Sequence, residues 1–215
     1  AYSARTCASN KPTTDRSRSF IDMFFSSDIK NKKILLHACC GPCSLGAIAP
    51  LLNDGAQIAL FFYNPCIIDG EFERRLDALR TVAEHYGLPV IVPPHDRSTY
   101  CAYASERASE KEGGERCALC MADRLRASAT YAVEHGFDAY TTTLTVSPHK
   151  NSKLIFALAQ NIADGAPFLA RDFKKRDGFL LSCRLARELD IYRQKFCGCE
   201  YSAAAPDANG AEGAA

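Results

Sequence analysis

Length, composition and charge restrict the chain to a few classes of protein. Its 215 residues are 47% hydrophobic and 24% charged, which suits one globular domain with a full core. This balance excludes collagen, coiled coil and wholesale disorder, and no stretch approaches the roughly 20 apolar residues of a membrane helix. The formal net charge of +1 excludes a global attraction to nucleic acid or lipid. The unusual feature is 11 cysteines beside no tryptophan.

The role of so many cysteines depends on whether the protein is in an oxidising or a reducing compartment. Residues 1–27 contain several basic residues but no apolar core of the kind found in a secretory signal. We therefore expect a cytoplasmic protein, in which cysteines serve metal binding or catalysis more often than disulfide cross-links. The odd number of cysteines also argues against a fully paired disulfide framework.

The first half of the chain alternates between predicted strands and helices. Residues 1–30 form a loose polar leader. Short apolar runs that end at Gly, Pro or Asn predict strands, and apolar residues at helical spacing predict helices. We assign strands to residues 33–38, 57–63 and 89–92, and helices to residues 44–52 and 71–86.

The second half continues the same alternation. Gly113 and Gly114 mark a loop, and a helix over residues 118–135 is closed by Gly136. A fourth strand is predicted over residues 138–144, followed by helices over residues 153–163 and 182–192. Residues 31–202 are thus expected to form a single α/β catalytic domain, and the Ala- and Gly-rich residues 203–215 a disordered tail.

This order predicts a parallel sheet with helices on both faces, a Rossmann-like architecture. In such sheets, sites lie at the carboxyl ends of the strands. Cys39 and Cys40 come directly after the first strand. We therefore expect a cysteine-rich site at that edge of the sheet.

Three groups of cysteines are close in sequence. Cys39, Cys40 and Cys43 lie within five residues, where Gly41-Pro42 favours a turn that lets neighbouring thiols face one ligand. Cys117 and Cys120 are spaced to place both sulfurs on one face of a helix start, where a thiolate is stabilised.

Cys197 and Cys199 form the third group. A disulfide between residues two apart closes a small, strained ring that is readily reduced, which favours redox work over a purely stabilising role. The pair could equally supply two metal ligands. For the remaining cysteines, Cys7, Cys66, Cys101 and Cys183, an incidental position is the simpler interpretation, although Cys66 follows a strand and could line the same pocket.

Four thiolates suit either a [4Fe–4S] cluster or structural zinc, and spacing alone does not choose between them. A position at the strand ends beside a separate redox-prone pair favours the cluster.

Each of two further features is compatible with RNA binding or with a purely structural role, the second as an ordinary solvated face. Thr141 to Leu144 and Ser147 to Lys150 follow the fourth strand, and their hydroxyls and Lys150 are suited to bind phosphate or sugar, or simply to end a strand and cap a helix. Residues 150–195 contain ten Lys or Arg against five Asp or Glu, which gives one basic region to an otherwise near-neutral chain.

A set of motifs, taken in order, resembles the QueH-type epoxyqueuosine reductase family over roughly residues 33–202. The motifs are His37-Ala-Cys-Cys-Gly-Pro-Cys43, Asn64-Pro65, Arg116-Cys-Ala-Leu-Cys120 with Arg124-Leu125, Thr141-Thr-Thr-Leu144 with Ser147-Pro148, Asp172-Phe-Lys-Lys175, and Tyr192-Arg-Gln-Lys-Phe-Cys-Gly-Cys199 with Tyr201-Ser202. Cys66 departs from the family pattern, which more often has Asn at that position.

The resemblance implies a nucleotide-hydrolase-like fold and a cobalamin-independent oxidoreductase. Its substrate would be tRNA carrying epoxyqueuosine at the wobble position, and its reaction the two-electron, two-proton removal of the epoxide oxygen to give queuosine. The resemblance further implies a [4Fe–4S] cluster on Cys39, Cys40, Cys117 and Cys120, and a redox-active disulfide pair formed by Cys197 and Cys199. An additional metal ion and an unidentified electron donor are compatible with this family; the resemblance leaves the roles of Cys43 and Cys66 and the residues that bind the substrate unassigned.

Two alternatives remain open at the level of sequence. Cys40-Gly-Pro-Cys43 between a strand and a helix has the form of a thioredoxin-like dithiol site, but that function would leave Cys39, Cys117, Cys120, Cys197 and Cys199 unexplained. The second alternative is a zinc protein that binds RNA through its basic side without catalysis.

Overall fold

The computed structural model describes residues 29–203, so most of the predicted leader and tail lies outside it. The strands are β1 (Lys33–His37), β2 (Gln57–Phe61), β3 (Val90–Ile91) and β4 (Ala139–Thr142). The helices are α1 (Gly41–Asn53), α2 (Asp69–Tyr86), α3 (Ser98–Ser105), α4 (Glu115–Glu134), α5 (Ser152–Gln160), α6 (Gly178–Glu188) and α7 (Glu200–Ala203). Two 3₁₀ turns, Thr143–Val146 and Lys175–Asp177, complete the regular structure of this part.

The strands of the described part form one parallel sheet in the order β3-β2-β1-β4. At the centre of the sheet, Leu36 of β1 lies opposite Leu60 of β2 and Thr141 of β4. The chain first builds outward from β1 to β3 and then returns to add β4 on the other side of β1. The reversal opens a crevice between the carboxyl ends of β1 and β4, which is where α/β sheets bind their ligands.

Helices cover both faces of the sheet, and this confirms the predicted fold class. Ile34 and Leu36 of β1 point to the face covered by α1, α2 and α6, while Leu35 points to the face covered by α4 and α5. All three side chains are at most 1% exposed. Alternate residues of one strand therefore fill two separate apolar layers, as expected for a sheet buried on both sides.

Some helix ends differ from the sequence prediction for local reasons. Helix α1 begins at Gly41, not Ser44, because Pro42 fits the first turn and the Cys40 sulfur accepts the N–H of Cys43 at the cap. Helix α2 ends at Gly87, in the left-handed conformation that glycine adopts without strain, as predicted. Helix α6 begins at Gly178 and ends at Glu188, four residues earlier at each end than predicted, and helix α3 was not predicted.

In residues 29–203, no helix has both the length and the apolar character that crossing a membrane requires.

Close packing of α1 against α6 gives a stability test of the fold. A Cβ at Gly46 would lie 2.6 Å from the backbone oxygen of Gly178, so the two helices would have to separate. We predict that Gly46→Ala lowers the free energy of unfolding by about 1–3 kcal/mol, measured by anaerobic urea titration of the helical circular dichroism signal. Gly70→Ala is the matched control, because a Cβ at that position meets nothing within 4 Å. Replacing a helical glycine by alanine there should stabilise the protein by up to about 1 kcal/mol. Equal stability of the two variants would contradict this packing argument.

Candidate metal and redox centre

The cysteine groups meet at the carboxyl edge of the sheet, at the crevice between β1 and β4. Cys39 and Cys40 follow β1, and Thr143 follows β4. The N–H of Cys39 donates to Thr143 Oγ1 at 3.0 Å, and the Thr143 hydroxyl lies 3.3 Å from Cys39 Sγ. The predicted site therefore lies where the sheet reverses its strand order.

A buried histidine fixes the strand ends around this crevice. His37 Nδ1 lies 2.8 Å from the Thr142 hydroxyl of β4, and Nε2 lies 3.1 Å from the Tyr63 carbonyl. Burial lowers the pKa of His37 to about 4, so the ring is neutral, donates from Nε2 and accepts at Nδ1. His37, the last residue of β1, thus connects the end of β4 with the segment that follows β2.

The first cysteine group consists of Cys39, Cys40 and Cys43. Their sulfurs all lie within 4.8 Å of one another, so the geometry adds Cys43, whose role the sequence left unassigned. Hydrogen bonds from the thiols of Cys40 and Cys43 hold the pKa of Cys39 well below its usual value. Burial and the hydrogen bond with Cys39 raise the pKa of Cys40 to about 12. These shifts favour the thiolate at Cys39 over that at Cys40. Cys40 Sγ also accepts a hydrogen bond from Gln194 Nε2 at 2.9 Å.

The second group is built around a buried arginine in α4. One nitrogen of Arg124 donates to Cys120 Sγ at 2.9 Å and to Cys66 Sγ at 2.7 Å, and the other lies 3.3 Å from Asn64 Oδ1. Hydrogen bonding to Cys66 and the charge of Arg124 lower the pKa of Cys120 to about 6, although burial opposes this. Cys66 therefore lines the site.

Cys117 lies one helical turn before Cys120, as its spacing predicts. It is half-buried, and its Sγ accepts the backbone N–H of Gly113 at 3.3 Å. Burial, together with the charges of Cys197 and Cys120, raises its pKa. The Cys117 sulfur thus lies close enough to Cys120 and Cys197 for their charges to affect its pKa.

The third group, Cys197 and Cys199, is positioned by a buried ion pair. Arg75 donates to the carbonyls of Cys197 at 2.8 Å and Phe196 at 3.0 Å, and to Glu71 at 2.6 Å. Between the cysteines, Gly198 has a φ of +109°, and a Cβ there would lie 2.9 Å from the Arg75 guanidinium. The turn that separates the two thiols therefore requires glycine.

The two thiols of this pair are electrostatically unequal. A hydrogen bond with Cys199, together with the positive charges of Lys150 and Arg124, holds the pKa of Cys197 well below its usual value. The same hydrogen bond and burial raise the pKa of Cys199. Lys150 Nζ lies 3.8 Å from Cys197 Sγ, and this thiolate is the main cause of the raised pKa of Lys150. In the reduced pair, these shifts favour the thiolate at Cys197 over the thiolate at Cys199.

Charge interactions join the three groups into one centre. The Cys197 thiolate contributes to the raised pKa values of Cys66 and Cys117 and partly offsets the lowering of the pKa of Cys120. The pKa of Lys150 responds to Cys39 and Cys43 as well as to Cys197. Cys197 therefore lies close enough to the sulfurs of Cys66, Cys117 and Cys120 to interact with them electrostatically. Every residue predicted for the site is present at this edge, although Cys117 and Cys120 lie outside the tight group around Cys39.

The sequence analysis missed the positively charged residues that hold this centre. Arg75 and Arg124 are each 3% exposed, and nothing local in the sequence separates them from surface arginines. Arg124 occurs in a quoted motif, one turn after Cys120, which is the one signal that could have indicated a role. Lys150 was suggested as a phosphate or sugar ligand, whereas the structure directs its ammonium at Cys197.

The chemistry of the donor set fits an iron–sulfur cluster. Thiolate sulfurs are its usual ligands, and hydrogen bonds to sulfur and burial adjust its potential. Here hydrogen-bond donors from Thr143, Gln194, Arg124 and Gly113 point at the sulfurs. Buried positive charges offset the negative charge of several thiolates. A site that held only neutral thiols would not need such charges.

Comparison with known proteins identifies the class. The family model described as epoxyqueuosine reductase QueH matches residues 34–205. The epoxyqueuosine reductase QueH of Staphylococcus aureus is 35% identical over 182 residues, which cover 80% of this chain and 75% of the relative. That of Thermotoga maritima is 34% identical over 176 residues, which cover 79% and 89% of the two chains. The fold and the sulfur-rich site are thus those of an oxidoreductase.

The chain belongs to the QueH family of epoxyqueuosine reductases. This confirms the resemblance seen in the sequence and gives no support to the thioredoxin-like or zinc-protein alternatives. A solved structure, the U34-tRNA thiolase NcsA from Methanococcus maripaludis with its [4Fe-4S] cluster, shares the fold at a TM-score of 0.54 and 15% identity. It matches 86% of this chain, which spans 65% of the length of that thiolase.

The unequal thiols lead to a test of Lys150. In the reduced protein, we predict that alkylation of Cys197 by iodoacetamide stays fast as the pH falls from 9 to 7, because its pKa is lowered and the thiolate persists. Lys150→Met removes the nearest positive charge and raises that pKa, so the rate should fall by about tenfold per pH unit below the new pKa. Peptide mass spectrometry measures the rate at this residue.

The control for this test is Lys33→Met, at the opposite edge of the sheet. It should reproduce the unmodified pH profile. An unchanged profile in Lys150→Met would show that Lys150 does not stabilise the Cys197 thiolate.

Proposed function

We propose that this centre removes the epoxide oxygen of epoxyqueuosine in tRNA, using a [4Fe–4S] cluster and the Cys197–Cys199 pair. The observation that carries this proposal is the meeting of three cysteine groups around buried cations at the sheet edge of a QueH-family chain. The natural location for a tRNA-modifying enzyme of this kind is the cytoplasm, where thiols stay reduced.

The assignment of cluster ligands is Cys39, Cys40, Cys117 and Cys120. When bound, the cluster supplies electrons one at a time at a potential set by its surroundings. The protein contributes thiolate ligands, hydrogen bonds from Thr143 and Gln194, and the charge of Arg124. Cys43 and Cys66, which lie beside this set, are not needed as ligands in this proposal.

The Cys197–Cys199 pair matches the electron stoichiometry of the reaction. Loss of the epoxide oxygen as water requires two electrons and two protons. Oxidation of the Cys197 thiolate and the Cys199 thiol to one disulfide releases two electrons and one proton, so the second proton is taken from solvent. The low pKa of Cys197 and the high pKa of Cys199 place the thiolate and the retained proton on different sulfurs. An external electron donor then reduces the disulfide for the next turnover.

A first experiment tests the ligand assignment. We predict that the protein purified without oxygen contains about four irons and four sulfides per chain, and that the absorption bleaches with dithionite. Single Cys→Ser variants at the four assigned ligand positions should lose most of this iron and sulfide.

The matched controls are Cys43→Ser and Cys66→Ser, because both side chains belong to the same centre, and Cys101→Ser, because that residue is exposed. All three should keep their iron. Loss of the cluster in Cys43→Ser with retention in Cys117→Ser would replace Cys117 by Cys43 in the ligand set. One zinc per chain without sulfide would remove the electron source from the proposal.

A second experiment tests the redox pair. We predict that Cys197→Ser and Cys199→Ser retain the cluster content of the unmodified protein but lose at least about 100-fold in the rate of queuosine formation. The measurement is nucleoside mass spectrometry on epoxyqueuosine-containing tRNA with dithionite as donor. Full turnover in both variants would rule out a required disulfide, while the cluster assignment would still stand.

A further inference from the structure

A cavity lies beside Lys150, the residue whose ammonium contacts the redox pair. Its volume is about 450 Å³, and it is lined by residues 148–153 together with Asp172 and Lys174. Lys150 forms part of its wall and reaches Cys197 on the other side. An occupant of this cavity would therefore lie one side chain away from the reacting thiols.

The cavity is positively charged, and one of its cations is available to a ligand. The ammonium of Lys150 is directed at Cys197, and that of Lys174 donates to the Lys150 carbonyl at 2.6 Å. Lys153 is exposed and makes no ion pair within the described residues. Three lysines against the single carboxylate of Asp172 favour an anion.

Two polar atoms in the wall lack a partner. Ser152 is only 7% exposed, yet its hydroxyl has no hydrogen-bond partner within the described residues. The same is true of the buried Oδ1 atom of Asp172. Both atoms are covered by protein in this structure, so each side chain would have to rotate to reach a ligand in the cavity. Leaving such groups unpaired is unfavourable, which favours that rotation when a polar ligand is bound.

The available groups match a ribose phosphate. A hydroxyl and ammonium groups donate to phosphate oxygens, whereas the Asp172 carboxylate oxygen accepts from sugar hydroxyls. Asn151 Oδ1 already accepts the N–H groups of Lys153 and Leu154, so the contacts come from side chains and not from the start of α5.

We propose that this cavity, the Lys153 pocket, binds a ribose-phosphate unit of the RNA backbone next to the reacting nucleoside. The proposal rests on the proposed function for the identity of the RNA, and it assigns the substrate contact to Ser152, Lys153 and Asp172. The same chemistry would also suit a free nucleotide or inorganic phosphate.

The test measures RNA binding without turnover. The probe is a fluorescent anticodon stem-loop RNA with guanosine at the wobble position, titrated against the cluster-loaded protein by anisotropy over a range of salt concentrations. Lys153→Gln should weaken binding about tenfold and reduce the slope of log K against log salt by about 0.7, the value for one single-strand phosphate contact. Ser152→Ala should weaken binding a few-fold without changing that slope.

The matched control is Lys33→Gln, a lysine at the opposite edge of the sheet, which should change neither value. Inorganic phosphate and guanosine 5′-monophosphate serve as competitors and should displace the RNA only at concentrations far above its Kd. Equal binding by Lys153→Gln and the unmodified protein would overturn the proposal. If Lys153 affects binding of the mononucleotide but not of the RNA, the pocket belongs to a free nucleotide and the proposal is wrong.

These outcomes are independent of the reductase assay. RNA binding that depends on Lys153, in a protein unable to reduce epoxyqueuosine, would overturn the proposed function but not the pocket. If the protein reduces epoxyqueuosine but binds RNA equally well without Lys153, the proposed function stands and the pocket proposal is overturned.

Discussion

The centre depends on keeping several sulfur ligands charged inside a buried environment. Burial alone raises the pKa of a thiol and disfavours the thiolate. Arg75, Arg124 and Lys150 counter this effect, because the positive charges of all three lower the pKa of Cys197. Each buried cation would in turn be costly without the thiolates. The buried cations and the thiolates therefore stabilise one another, and either group alone would be unfavourable at this position.

The parallel sheet makes this convergence possible. β1 delivers Cys39 and Cys40 to the crevice, the segment after β2 delivers Cys66, and β4 delivers the Thr143 hydroxyl. Helix α4 adds Cys117 and Cys120 on one face, although more than 75 residues separate them from Cys40. The strand order β3-β2-β1-β4 brings these segments together because the carboxyl ends of all four strands lie at one edge. Sequence-distant thiols thus become neighbours without any cross-link.

The sequence predicted those features whose cause is local. The strands and most of the helices follow from apolar periodicity and from Gly or Pro at their ends, and the cysteine groups from their spacing. Helix α3 was missed because its eight residues, Ser98–Ser105, have little amphipathic pattern. The guanidinium of Arg124 and the ammonium of Lys150 could not be placed, because their partners, Cys66 and Cys197, lie 58 and 47 residues away.

A single backbone segment connects the reacting pair with the Lys153 pocket. The side chain of Lys150 holds Cys197, while its carbonyl accepts Lys174 and the next residues form the pocket wall. A ligand that orders residues 150–153 would therefore also fix the ammonium that stabilises the thiolate. Lys150 lowers the pKa of Cys197 together with the hydrogen bond from Cys199 and the charge of Arg124. Under the proposed function, a backbone phosphate in the Lys153 pocket would therefore lie next to a residue that stabilises the thiolate. Lys150 therefore belongs to both the redox pair and the wall of the Lys153 pocket.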